Sequence, residues 1–141
     1  MALLEAEGDL DGAEQAWLSA GWIHYFLGDS PAEEQCLERT IAYARRCGNR
    51  QLELRSRMWL AISFITLRVP ADVAISRVEQ LLRDVSGEAW AEAEMLQQLA
   101  LLYAFAGRFA DARAARARGR TMLTRLGAKL PVRCGMEDNI N

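Results

Sequence analysis

The side chains best suited to chemistry are few in this sequence, and they are widely spaced. His24 is the one histidine among 141 residues, so any nucleophile-and-base mechanism would have to use it as the base. Cys36, Cys47 and Cys134 form no CxxC pair, and an odd number of cysteines with one histidine favours neither a disulfide framework nor a zinc site. The glycines are isolated, so no phosphate-binding loop is present. The sequence therefore predicts no catalytic residue, no metal and no cofactor, and hence no enzyme.

Charge is distributed unevenly, although the formal net charge is only −2. Residues 1–49 hold nine acidic side chains against three basic ones, whereas residues 108–133 hold eight basic side chains against one acidic. Arg113, Arg116 and Arg120 share one face of a predicted helix, and arginine pairs well with phosphate or carboxylate. The overall acidity, and the lack of aromatic residues interleaved with these arginines, argue against nucleic acid. The three arginines are a candidate patch for an anionic partner or a solvated face, with nucleic-acid binding through this arginine-rich stretch as the less favoured alternative.

The acidic side chains near position 35 could in principle gather carboxylates on one helix face. Glu33, Glu34 and Glu38 have helical spacing, but an arginine follows them, so we interpret all three as a solvated face. Cys36 and Cys47, in the same stretch, are expected to pack as small apolar residues.

Length and composition predict a folded domain of 141 residues, 51% hydrophobic and 26% charged. The longest apolar run without a charge, residues 58–67, is about half of what a bilayer crossing needs. Residues 1–8 include Glu5 and Glu7 and lack a basic segment followed by an apolar one, which a secretory signal would need. The prediction is a cytoplasmic protein without membrane contact.

Isolated glycines mark an internal repeat with a period of about 40 residues, a length typical of helix-pair repeats. Four of them follow one another at nearly equal intervals: Gly8, Gly48, Gly87 and Gly127. A second pair, Gly28 and Gly107, is separated by about twice this period, and the Val69-Pro70 break lies midway between them. Since glycine is the common stop of a helix, each unit is predicted to be a helix, a break and a second helix.

The predicted organisation is three repeats, with boundaries set by these glycines. The repeats are residues 9–48, 49–87 and 88–127, preceded by the remnant of an earlier helix or an N-terminal tail at 1–8 and followed by a tail at 128–141. The predicted helices cover residues 9–27, 31–47, 50–68, 71–85, 88–106 and 109–126. Loops this short force each pair to pack antiparallel, so the fold class is all-α, built from three helix hairpins.

Residues aligned by the repeat carry a family resemblance. The third unit reads Leu96-x2-Leu99-Ala100-x2-Tyr103 and continues with Gly107 and Ala112; the first reads Trp17-x2-Ala20-Gly21-x2-His24 and continues with Gly28. These motifs resemble the tetratricopeptide repeat, although Arg57 takes the Trp position in the second unit and the period is longer than is usual for that family. The resemblance implies a right-handed α-solenoid, with HEAT-like helix pairs as the alternative. It also implies that His24 is a packing residue.

A more specific resemblance covers about residues 9–128. Phrases such as LERTIAYARRCGN and LALLYAFAGRFADARAARARG are similar to the C-terminal repeat arrays of large bacterial regulators that join a nucleotide-cyclase-like or DNA-binding domain to an AAA-type ATPase. The resemblance implies a fragment or reduced relative of such a protein; the alternative is a short natural protein.

In stacked helix pairs of this kind the first helices line a concave side. The repeat alignment predicts the residues of this partner-binding groove: Leu18, Trp22, Tyr25, Phe26, Met58, Ile62, Ile65, Gln97, Leu101 and Phe105. So large an apolar surface is normally covered. The expected partner is a protein or peptide: an amphipathic helix, a domain of the parent chain, or a second copy forming a homodimer. One alternative is a small-molecule or peptide sensor using the same groove. Another is that these residues are core, covered by the 128–141 tail or by tight curvature.

Overall fold

The computed structural model describes residues 10–66 and 69–127, and within these ranges it contains helices and no strand. The six helices are α1 (Leu10–Leu27), α2 (Ser30–Cys47), α3 (Arg50–Thr66), α4 (Ala71–Asp84), α5 (Ala89–Phe105) and α6 (Phe109–Arg125). Apart from the start of α1 and the end of α3, which border residues outside the described ranges, each helix begins and ends within one residue of its predicted bounds. The prediction of an all-α fold is therefore confirmed for the residues that the structure describes.

Helix ends lie where the glycine and proline positions predicted them. Gly48 ends α2 with φ of 70°, a left-handed conformation that costs glycine little, and its N–H is bonded to the carbonyl oxygen of Arg45. At the start of α2, the Asp29 side chain accepts a hydrogen bond from the N–H of Ala32, and Pro31 lies in the first turn. These local interactions explain why the breaks could be predicted from the sequence. Gly8 lies outside the described residues.

Each helix packs on its neighbours in sequence, and α3 also contacts α5. The main core lies between α3, α4 and α5, where Phe64, Val78 and Met95 are almost fully buried. When the three units are aligned by the repeat, one position holds a small residue in each unit, and it is buried in all three: Gly21, Ala61 and Ala100. The shared burial supports the repeat register.

Two helical glycines differ in the space around them, which makes them a matched pair for stability measurements. A Cβ at Gly119 would lie 3.1 Å from the carbonyl oxygen of Ala93 and 3.3 Å from the Cβ of Leu96, so alanine would force α5 and α6 apart. At Gly21, the nearest atom would be the Cβ of Cys36 at 3.6 Å, an ordinary contact. We expect Gly119→Ala to lower the free energy of unfolding by about 1–2 kcal/mol.

Gly21→Ala should instead raise the free energy of unfolding by about 0.5–1 kcal/mol, because alanine is the better helix former. Urea denaturation of both variants measures the contrast. If both variants raised the free energy of unfolding equally, α5 and α6 would be able to separate without cost.

Candidate functional site

The residues predicted to line a groove fall into two classes in the structure. Phe26, Leu101 and Phe105 are exposed, by 79%, 46% and 67% respectively. The other seven are half-buried: Leu18, Trp22, Tyr25, Met58, Ile62, Ile65 and Gln97. Among them, Leu18, Met58 and Ile65 pack against the main core. The interpretation as core therefore applies to part of the predicted groove, while the ends of α1 and α5 present large apolar side chains to solvent.

An aromatic cluster connects α1 to α3. The ring centroids of Trp22 and Trp59 are 4.3 Å apart with an interplanar angle of 70°, an edge-to-face contact. On α1 itself, Tyr25 lies edge-on to Trp22 at 6.1 Å, and Phe26 is stacked with Trp22 at 6.2 Å. The Trp59 contact places Trp22, one of the predicted groove residues, beside α3. Trp59 was missed because it lies one position beside the predicted Met58.

Apolar exposure extends beyond the predicted residues. Ile23 and Leu27 on α1 and Trp90 on α5 are also exposed. Ile23 and Leu27 are four residues apart, a spacing that places both on one face of α1 and that could have indicated them. The exposed apolar surface of α1 is thus wider than predicted.

A small cavity lies between α1, α2 and α3. Its lining consists of Leu18, Gly21, Trp22, Tyr25, Glu33, Leu37 and Trp59. The cavity volume is about 10 Å³, space for about one water molecule. Pockets for drug-sized ligands are larger, on the order of 300–1,000 Å³. This cavity can therefore accept a small chemical group but not a whole cofactor-sized molecule.

Glu33 corrects the interpretation of the acidic stretch as a solvated face. Glu33 is only 5% exposed, and its carboxyl group accepts a hydrogen bond from the Ser63 hydroxyl of α3. Glu34 and Glu38 do form ion pairs near the surface, both with Arg77 of α4. The interpretation is wrong for Glu33 because it considered α2 alone, whereas the neighbouring helix α3 covers this side chain.

A second buried polar cluster surrounds Glu53 on α3. Arg57, only 1% exposed, forms an ion pair with Glu53, and its Nε lies 3.9 Å from Asp84. Arg45 and Arg50 donate to the same carboxylate at 2.7 and 2.8 Å. Burial opposes ionisation of Glu53, but hydrogen bonds from the three arginines outweigh it and lower its pKa to about 2. We interpret this cluster as structural, because its ion pairs connect α2, α3 and the end of α4.

No family model, no curated protein and no solved structure matches this chain. The resemblance to tetratricopeptide repeats therefore still rests on the residues quoted above.

The arginines predicted as an anionic-partner patch are all exposed on α6. Arg113, Arg116 and Arg120 lie at the surface, and Arg120 also borders a shallow depression with Thr121 and Thr124. All three guanidinium groups are therefore at the surface, where an anionic partner or solvent can reach them.

The histidine and the described cysteines do not form a cluster that could bind a metal ion. His24 is half-buried, with its Nδ1 3.5 Å from a carboxylate oxygen of Asp29. Cys36 is buried and burial raises the pKa of its thiol, whereas Cys47 is half-buried; Cys134 lies outside the described residues. In residues 10–66 and 69–127 no three His, Cys, Asp or Glu side chains are grouped to hold a metal ion. No described helix is both long and apolar enough to cross a bilayer.

Proposed function

We propose that this chain is a non-catalytic interaction module that binds a protein segment through the apolar surface of α1, α3 and α5. In this proposal the three helix pairs stack as antiparallel hairpins in a right-handed solenoid of the tetratricopeptide type. The contacts of each helix with its neighbours in sequence, together with the α3 to α5 contact, support that arrangement. The resemblance to repeat arrays extends the proposal to the repeat arm of a larger cytoplasmic bacterial regulator.

The observation that carries the proposal is the exposure of Phe26 and Phe105. Both lie near the C-terminal ends of first helices, and Leu101 continues the apolar surface one turn before Phe105. Exposure of phenylalanine side chains to water is unfavourable, and their burial against a partner stabilises the complex by roughly 25 cal/mol per Å² of apolar area. An amphipathic helix is the simplest occupant, because its apolar stripe can follow the row of first helices.

The small volume of the cavity favours a protein over a small-molecule sensor. At about 10 Å³, the cavity beside Trp22 could not enclose an effector of drug-like size. A protein segment needs no enclosed volume, since it can lie across exposed side chains.

Selection of helical peptides from a displayed library, followed by chemical-shift mapping on the full chain, tests the proposed surface. We expect selected peptides to perturb α1, α3 and α5, and to lose at least tenfold in affinity on Phe26→Asp or Phe105→Asp. Val73→Asp is the matched control, because Val73 is an exposed apolar residue on the second helix α4.

Sedimentation of the chain alone shows whether a second copy is the occupant. A dimer that dissociates on Phe105→Asp would assign the surface to self-association. The proposal would be overturned if the chain is monomeric and the selected peptides either map elsewhere or bind both Asp variants normally.

A further inference from the structure

Glu33 is a buried carboxyl group without a cationic partner in residues 10–66 and 69–127. Its one side-chain hydrogen-bond partner there is the Ser63 hydroxyl. That hydroxyl has a single proton and also lies 3.0 Å from the carbonyl oxygen of Trp59, so Ser63 cannot satisfy the carboxylate by itself. Buried carboxylates are usually paired with a cation or fully hydrogen-bonded. Glu53, the other described carboxylate of equally low exposure, has three arginine partners.

Glu33 lines the small cavity together with three aromatic residues, Trp22, Tyr25 and Trp59. The Trp22 ring is steeply inclined to both of the other rings, at 83° to Tyr25 and 70° to Trp59. Aromatic faces carry negative electrostatic potential and attract cations. An aromatic enclosure that also contains a carboxylate is therefore suited to a positively charged group.

We propose that this cavity binds a primary ammonium group. The volume of about 10 Å³ fits a group the size of one water molecule, which describes an ammonium head but not a trimethylammonium or guanidinium group. In this proposal the ammonium group donates a hydrogen bond to Glu33 and lies among the rings of Trp22, Tyr25 and Trp59.

The ammonium group has two sources with the same chemistry: a lysine side chain of a protein partner, or a free alkylamine. The lysine source rests on the proposed function, since Leu18, Trp22 and Tyr25 belong both to the cavity and to the predicted groove. The cavity itself does not depend on that proposal.

Titration of the full chain with n-butylammonium, followed by the indole NMR signals of Trp22 and Trp59, tests the site. We expect saturable shifts, with n-butanol and tetramethylammonium binding at least tenfold more weakly at matched ionic strength. Equal binding of n-butanol would show that the cavity is merely apolar. Equal or tighter binding of tetramethylammonium would contradict the size argument, and the absence of saturation would remove the site.

Two variants assign the binding to the named residues. Glu33→Gln retains an acceptor for Ser63 but removes the charge, so it should weaken n-butylammonium binding at least tenfold, whereas Glu38→Gln, an exposed carboxylate on the same helix, should not change it. If Glu33→Gln does not fold, Tyr25→Leu removes one half-buried ring and should weaken binding severalfold. Unchanged binding in a folded Glu33→Gln variant would overturn the proposal.

Competition experiments distinguish the two sources. A lysine side chain would be identified as the source if a selected peptide displaces n-butylammonium and its affinity falls at least tenfold when its lysine is replaced by norleucine. Binding of n-butylammonium without peptide competition would identify a free amine. In that case the ammonium site stands even if peptide mapping overturns the proposed function.

Discussion

Glu53→Gln should lower the free energy of unfolding by about 3 kcal/mol. The substitution keeps the shape of the side chain but removes the charge that compensates Arg57, which is 1% exposed. The nearest remaining carboxylate, that of Asp84, lies 3.9 Å from the Arg57 Nε. Breaking a buried ion pair by removing one partner typically costs about 3–5 kcal/mol, because an uncompensated charge stays buried.

The lowered pKa of Glu53 gives a similar estimate of the stability that its charge contributes, and it determines the pH range over which this stability is lost. Its pKa in the folded chain is about 2, below the ordinary value of 4.5, because hydrogen bonds from Arg50, Arg57 and Arg45 outweigh burial. At about 1.4 kcal/mol per pKa unit, the ionised carboxylate contributes about 3 kcal/mol of stability above pH 4.5. As the pH falls from about 4.5 to 2, the unfolded chain binds the proton first and this contribution is lost. Urea unfolding at several pH values should show this loss in the wild-type chain and not in Glu53→Gln.

Two further variants separate the buried charge from a general effect of losing a carboxylate. Glu38→Gln removes an exposed partner of Arg77 and should cost less than about 0.5 kcal/mol. Adding Arg57→Met to Glu53→Gln removes the uncompensated cation and should restore part of the lost stability. A cost below about 1 kcal/mol for Glu53→Gln, or no rescue by Arg57→Met, would mean that the cluster is hydrated and contributes little.

The bounds of the helices could be predicted because their signals are local. The glycines predicted as stops and covered by the structure all have φ between 69° and 92°: Gly28, Gly48, Gly87, Gly107 and Gly127. A left-handed helix end is recognisable here from a glycine in phase with the repeat, and the Asp29 cap is recognisable from Pro31 behind it. Pattern and spacing were therefore sufficient for the number, bounds and type of the helices.

The polar interior could not be predicted, because it depends on contacts between helices. Glu33 resembles a surface residue within α2, and only the approach of Ser63 from α3 shows that it is buried. Arg57 was recognised as a departure from the repeat motif, but its pairing with Glu53 and Asp84 requires the relative placement of α3 and α4. Periodicity specifies which face of a helix is apolar, and it does not specify which charged residue a neighbouring helix will cover.

Phe64→Ala should cost about 3–5 kcal/mol, the range for removing a buried phenylalanine ring. Phe64 is 1% exposed in the main core, and the guanidinium carbon of Arg77 lies 4.7 Å from its ring centroid. The variant loses both the core contacts and the ring over which Arg77 lies. Phe64→Leu keeps most of the volume and should cost less than about 1.5 kcal/mol, so urea unfolding of the two variants separates cavity formation from a change of residue type.

The same experiment at the equivalent repeat positions tests whether the three units share one packing position. Tyr103 and His24 occupy that position in the third and first units, and both are half-buried. Tyr103 also donates from its hydroxyl to Glu79 at 2.7 Å, and burial together with this bond raises its pKa to about 12. We expect the cost of substitution by alanine to fall in the order Phe64, Tyr103, His24, because Phe64 is almost fully buried, and because the half-buried Tyr103 has a larger ring than the half-buried His24. A reversed order would mean that the positions aligned by sequence are not equivalent in packing.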